Sequence, residues 1–336
     1  MRRLWIVYAL LTALFSIVKA NDTNDLYKKS AFKELGKLSL ELQGEISSPG
    51  LVDLSDLPLH SVINRESEIR NDQREFRGAY RYEGYALFDI LDNHLPQKKN
   101  AQEFKQTLDL LVAVENESGG RVVISWGEIF YPAAENRIII AVRASPIIPI
   151  MTKEQWPLPN HPRLICGNDL ISVRNLDNPS KITVFSAPVS FSKPRQLNEL
   201  YSAQIVLSID GRKMPLHVVE RHEKRTYPTI FYGRGKGFQG YHNFSGYLLK
   251  AVLQDYVIPT AEIMKTGYFV LFGVDGYRIA LSYSELCNRN DQAEFLLIDQ
   301  GKERNGGRYS IFPSADFFSD RAIKAIQQIH FLEIRE

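Results

Sequence analysis

The run Gly233-Arg234-Gly235-Lys236-Gly237 is where residue type and spacing come nearest to chemistry. Three glycines alternating with two cations let backbone N–H groups turn toward an anion, while guanidinium and ammonium add charge. His242 and Asn243 follow closely and can line the same cleft, the histidine as a proton donor near neutral pH. Arg234, Gly235, Lys236, His242 and Asn243 are therefore the candidate ligand-binding residues, for an anion such as phosphate, sulfite or a pterin phosphate. A solvated hairpin turn beside a structural histidine is the competing reading. No Lys-Ser/Thr pair follows the glycines, so this is not a Walker loop.

Other chemistry is thin. His217 and His222 are five residues apart, which puts them on opposite faces of a strand and makes a poor metal pair. The two cysteines, Cys166 and Cys287, form no CxxC or Cys/His spacing, so no metal site is expected, and whether they pair stays open. No Gly-x-Ser-x-Gly elbow is present, and no catalytic residue is assigned. Arg121/Arg278 and Arg174/Arg321 recur at matching places in the two halves. Ion pairs with Glu128/Glu285 or Asp169/Asp316 explain them more simply than substrate contacts do.

The element that must position the candidate loop is the stretch Phe238 to Leu253, FQGYHNFSGYLLKAVL, and it has a second copy, Phe76 to Leu91, FRGAYRYEGYALFDIL. Phe238, Gly240, Phe244, Gly246, Tyr247, Leu249 and Leu253 each lie 162 residues after Phe76, Gly78, Tyr82, Gly84, Tyr85, Leu87 and Leu91. An aromatic-x-Gly-Tyr step followed by apolar residues at helical spacing predicts a strand turning into a helix that packs back on its sheet. Around the two copies the same order of blocks recurs. Leu110 to Ile129 reads as two strands around Gly119-Gly120, matched by Phe269 to Leu286 with Arg278 157 residues after Arg121. Arg137 to Val142 and Phe295 to Asp299 read as buried strands. In the tails, Asp316, Arg321, Ile329 and Phe331 lie 147 residues after Asp169, Arg174, Ile182 and Val184. The falling offset means that the first half carries about 5 and then about 10 extra residues, the latter across the proline-rich connection Pro146 to Pro162. We read this order as an internal duplication of a domain-sized unit. Leu51 to Leu59 reads as a short amphipathic helix, and Asn64 to Arg74 as a solvated loop.

At 336 residues the chain has room for two domains, and its hydrophobic content of 44 % is ordinary for a globular protein. A net charge of +2 gives no reason to expect nucleic acid as a partner. Arg2 and Arg3 precede the apolar run Leu4 to Val18, and Val18-Lys19-Ala20 ends it with small residues. This pattern predicts a signal peptide over residues 1–20, export to the periplasm or medium, and no membrane anchor after cleavage. A polar lead-in then spans 21–37, a first domain 38–189, a linker 190–202 and a second domain 203–336.

The order of blocks resembles the molybdopterin-binding domain of the sulfite oxidase family. Phe244-Ser245-Gly246-Tyr247, Asp275-Gly276-Tyr277, Glu285-Leu286 and the tail Arg321 to Ile334 carry it, with Tyr82-Glu83-Gly84-Tyr85, Arg121, Glu128 and Ile182 matching in the first half. The resemblance implies an α+β fold of two tandem, strand-rich sulfite-oxidase-type domains. It also implies a molybdenum-holding cysteine shortly before the aromatic-x-Gly segment, but Asn71 to Arg81 and Tyr232 to Asn243 contain none. The expectation is thus a non-redox binding protein, for a small anionic or pterin-like ligand or a partner protein, with no cofactor required. A divergent oxidoreductase retaining molybdopterin is the alternative.

Overall fold

With Phe, Tyr, Val and Ile in many short runs, most of the backbone is best served by pleated, half-buried surfaces. The computed structural model describes residues 25–71, 73–191, 197, 199–291, 294–301 and 307–334, and is 47 % strand and 12 % helix. The segments expected to be a signal peptide and part of the linker lie outside the described residues. Among the described residues no helix is long and apolar enough to cross a membrane.

The first half contains β1 (Lys33–Glu34), β2 (Glu41–Gly44), β3 (Gly50–Leu51), β4 (Leu59–Arg70), β5 (Gln73–Ala86), β6 (Leu110–Asn116), β7 (Arg121–Ser125), β8 (Ile138–Pro146), β9 (Arg163–Cys166), β10 (Leu176–Asp177) and β11 (Pro179–Ser186). The second contains β12 (Val206–Ile209), β13 (Arg212–Pro215), β14 (Lys224–Gly233), β15 (Gly237–Leu248), β16 (Gly267–Gly273), β17 (Arg278–Ser282), β18 (Phe295–Asp299), β19 (Tyr309–Pro313) and β20 (Ile326–Glu333). The helices α1 (Leu87–Asp92), α2 (Trp126–Phe130), α3 (Leu249–Leu253), α4 (Ala261–Thr266) and α5 (Tyr283–Cys287) are all short.

Four sheets result. The order β3-β2-β11-β6-β7 in the first half is repeated as β13-β12-β20-β16-β17 in the second, each with one parallel pair (β2–β11, β12–β20). The order β9-β8-β5-β4 is likewise repeated as β19-β18-β15-β14, with β10 and β1 added only in the first half. Within each half the two sheets sandwich a core. Leu42, Val112, Ile124 and Ile182 meet Ile140 and Leu164 in one, and Leu207, Phe269, Leu281 and Ile329 meet Phe295 and Ile311 in the other. The remaining faces of the two five-stranded sheets pack against each other through Leu111 and Val123 on one side and Val270, Phe272 and Ala280 on the other.

This arrangement corrects the expected fold class. The chain is not an α+β molecule of two sulfite-oxidase-type domains; it is strand-rich, with four sheets arranged in the manner of a four-bladed β-propeller. The helical spacing after each Gly-Tyr step is real but extends for only α1 and α3, of six and five residues. The halves also interlock: Phe104, Leu108, Tyr131 and Ile171 of the first lie in the core of the second.

Three local expectations change as well. Leu51 to Leu59 forms no helix. Asn64 to Arg74 belongs to the β4–β5 hairpin, where Asn64 and Glu66 are buried beside Val62; charge had concealed an alternating strand. Trp126 to Ile129 is helix α2 rather than strand, because Ser125 caps it by accepting the Glu128 N–H at 2.9 Å.

Candidate functional site

Gly233 and Gly237 close the β14–β15 hairpin, and Arg234, Gly235 and Lys236 form its exposed tip. The arrangement leaves little for an external anion to use. The Arg234 N–H donates to Asp320 Oδ2 at 3.1 Å, and its guanidinium approaches Asp320 Oδ1 at 3.6 Å. The Lys236 N–H donates to the Gly233 carbonyl at 3.3 Å. An internal carboxylate therefore already occupies the place the glycine-rich run offered to a ligand. His242 pairs with Thr229 further down the hairpin, its ring between Phe231 and Phe244 and its Nε2 3.1 Å from the Gln239 carbonyl oxygen. Asn243 stands exposed opposite Pro228. The five residues share one hairpin without converging on a cleft. Clefts of about 420 Å³ beside Arg81 and about 510 Å³ beside His330 are lined by other residues.

The recurring arginines do converge, between the halves. Arg174 makes a bidentate pair with Asp169 (2.8 and 2.5 Å) and a second with Glu128 (2.9 and 2.6 Å). Arg321 makes a bidentate pair with Asp316 (2.7 and 2.6 Å) and also bonds Glu285. The serines that cap α2 and α5 cross-link the two sets: Ser125 donates to Glu285 at 2.6 Å and Ser282 to Glu128 at 2.8 Å. Backbone bonds repeat the exchange, Leu170 N–H to Asn288 O at 2.7 Å and Phe317 N–H to Tyr131 O at 2.7 Å.

The side chains of Glu128, Asp169, Arg174, Glu285, Asp316 and Arg321 are all buried. Burial pushes Asp169 up to about 6 against the pull of Arg174, whereas at Glu128 Arg174 outweighs burial and holds the carboxyl below its ordinary value. With every partner internal and no access from solvent, the arrangement joins the halves rather than binding substrate. Ser125 and Ser282 recur 157 residues apart in the sequence, and Ser125-x-x-Glu128 and Ser282-x-x-Glu285 are capping-box spacings, but their role in linking the halves was not read from it.

The thiols are equally withdrawn. Cys166 and Cys287 are both free; burial raises the first well above its ordinary pKa and pushes the second up to about 12. Neither is a thiolate near neutral pH. Among the described residues no group of three or more His, Cys, Asp or Glu is placed to hold a metal ion.

What the β14–β15 hairpin does present is an apolar face. Ile230 lies opposite Tyr241 and Tyr232 opposite Phe238, and a bulge at Gln239-Gly240, where Gly240 takes φ 114°, brings Phe238 onto the same face. Phe238 and Tyr241 are in edge contact at 5.5 Å, and Phe317 abuts Tyr232 at 5.7 Å. Ile230, Phe238 and Tyr241 are 63 %, 58 % and 80 % exposed, so these rings and methyls face water. The opposite face, Tyr227, Phe231 and Phe244, packs on Phe312 and Leu296. No protein-family model matches the chain, and a search of curated proteins finds none similar to it.

Proposed function

We propose that this is an exported binding protein, without redox turnover, that docks on another protein through the exposed face of the β14–β15 hairpin. One observation carries the reading: Ile230, Tyr232, Phe238, Tyr241 and Phe317 form a continuous exposed apolar surface on an element packed from behind by its own aromatic cluster. Contiguous exposed apolar surface rimmed by polar groups marks interaction sites, and aromatic side chains are the usual anchors of such contacts. Export is supported by the charged, apolar and small-residue segments of the N-terminus. A small-anion site at Arg234 and Lys236 is the weaker reading, because Asp320 already takes the Arg234 amide.

Site-specific photo-crosslinking in the native host tests this. A crosslinker at Tyr241 should give a discrete protein adduct that is absent when it is placed at the exposed Met151, and that is lost when Ile230→Ser and Phe238→Ser are added. Equal labelling at both positions, or none at Tyr241, would rule the reading out.

A further inference from the structure

Resting on that reading, we infer that the partner contributes an extended, acidic segment that adds as an antiparallel strand to the outer edge of β15, from Phe238 to Gly246. The first half contains the same edge already filled. There β5 pairs with β8 from Tyr80 to Ala86, Ala86 facing Ile139 and Tyr80 facing Pro146. The Ile147 N–H then donates to the Ala79 carbonyl at 2.7 Å, and Trp156 lies edge-on against Phe76. In the second half β15 pairs with β18 only at Tyr247 and Leu248, the counterparts of Tyr85 and Ala86. Among the described residues no strand continues the pairing along Phe238 to Gly246.

The other edge of the hairpin is closed to such addition. Pro228 interrupts β14, and near the tip Ser319 donates to the Tyr232 carbonyl at 3.0 Å. An unpaired row of N–H and C=O groups on a rigid strand is what peptides use when they add to a sheet, main-chain bonds supplying affinity and alternate side chains the specificity.

Charge selects the occupant. In the first half the covering strand carries Arg143, which meets Glu83 at 3.5 Å. Between Lys224 and Leu248 there are four cations, Lys224, Arg225, Arg234 and Lys236, and no Asp or Glu. Glu223 and Asp320 each offset one of them, and the Lys236 ammonium has no partner among the described residues. A complementary strand must therefore carry negative charge where the internal one carries an arginine.

The test uses the full exported chain and a synthetic peptide of residues 141–149 with its arginine replaced by glutamate. Fluorescence anisotropy should show saturable binding, at least tenfold weaker for Arg225→Glu with Lys236→Glu, and hydrogen exchange should slow in Phe238–Gly246. N-methylating one alternate set of peptide amides should abolish binding, while methylating the other set should not. No binding, or binding insensitive to either methylation and without protection of Phe238–Gly246, would overturn strand addition, yet the Tyr241 crosslink would still stand. Binding to phosphatidylglycerol vesicles but not to the peptide, with no protein adduct at Tyr241, would overturn both readings in favour of a membrane surface.

Discussion

The β4–β5 and β14–β15 hairpins have the same register, the same bulge and the same exit into a short helix, yet opposite surroundings. Tyr82 donates to the buried Glu66 at 2.8 Å, and Arg163 and Asn175 bond the same carboxylate at 3.0 and 2.9 Å. Phe244 and Phe231 occupy the corresponding places in the second hairpin and pack as rings. The first hairpin is bound to its own half by a buried polar network, a long neighbouring strand and the proline-rich connection. Its counterpart is bound by a small aromatic cluster and by the tail residues Phe317 to Asp320, through Ser319 on the Tyr232 carbonyl and Asp320 on Arg234. Two surfaces built on one plan can therefore diverge in role through what a loop insertion covers: the extra residues of the first half lie in the segment that closes its hairpin. Cover stabilises a hairpin but takes its outer face out of water, and in the second half Ile230, Phe238 and Tyr241 stay exposed.

Four sets of substitutions sharpen or break this comparison. The largest effect should come where the halves are alike. Arg174→Met and Arg321→Met each strand two buried carboxylates, so each should lower stability by about 3–5 kcal/mol in denaturant titrations. A loss for one and none for the other would break the equivalence of the two clusters. The hairpins themselves should respond unequally. Glu66→Leu should cost about 2–3 kcal/mol, less than for a fully buried pair because the Arg163 side chain retains 22 % exposure, whereas Phe231→Leu should cost about 1 kcal/mol.

A smaller difference should separate the paired glycines. An added Cβ would meet the Ile140 carbonyl oxygen at 2.1 Å from Gly84 but the Leu297 oxygen at 2.8 Å from Gly246. Thermal unfolding should thus show Gly84→Ala losing about 1–3 kcal/mol and Gly246→Ala less, and the reverse order would mean that the second strand pair is the tighter one. The smallest effect belongs to Ile230→Ser with Tyr241→Ser, within about 0.5 kcal/mol of the parent in the same assay. A loss of several kcal/mol would show that this face is already covered within the molecule.

Local order was legible in the residues wherever a pattern is set by nearest neighbours. The Gly-Tyr step ending in α1 and α3, the hairpin turns at Gly119-Gly120 and Asp275-Gly276, and the buried strands β8 and β18 follow from backbone freedom at glycine and from apolar periodicity. The spacings of 162, 157 and 147 between paired residues are also the spacings at which strands recur. Ion pairs of the recurring arginines with Glu128/Glu285 or Asp169/Asp316 were readable as charge complementarity, and Arg174 and Arg321 make them, but Arg121 pairs instead with Glu115 and Arg278 with Glu103 and Asp109. Non-local decisions were hidden. Helix length depends on how soon packing against a sheet runs out, so the repeated apolar spacing pointed to more helix than α1 and α3 supply. Burial of Glu66 and Asn64 depends on Arg163, Asn175 and a neighbouring strand far along the chain, which is why a charged stretch read as loop. The reciprocal Ser125–Glu285 and Ser282–Glu128 bonds require the halves to meet face to face, and no spacing within either half encodes that. The occupied turn at Arg234 likewise rests on Asp320, 86 residues away, brought there only when β14 and the closing tail of the second half pack together.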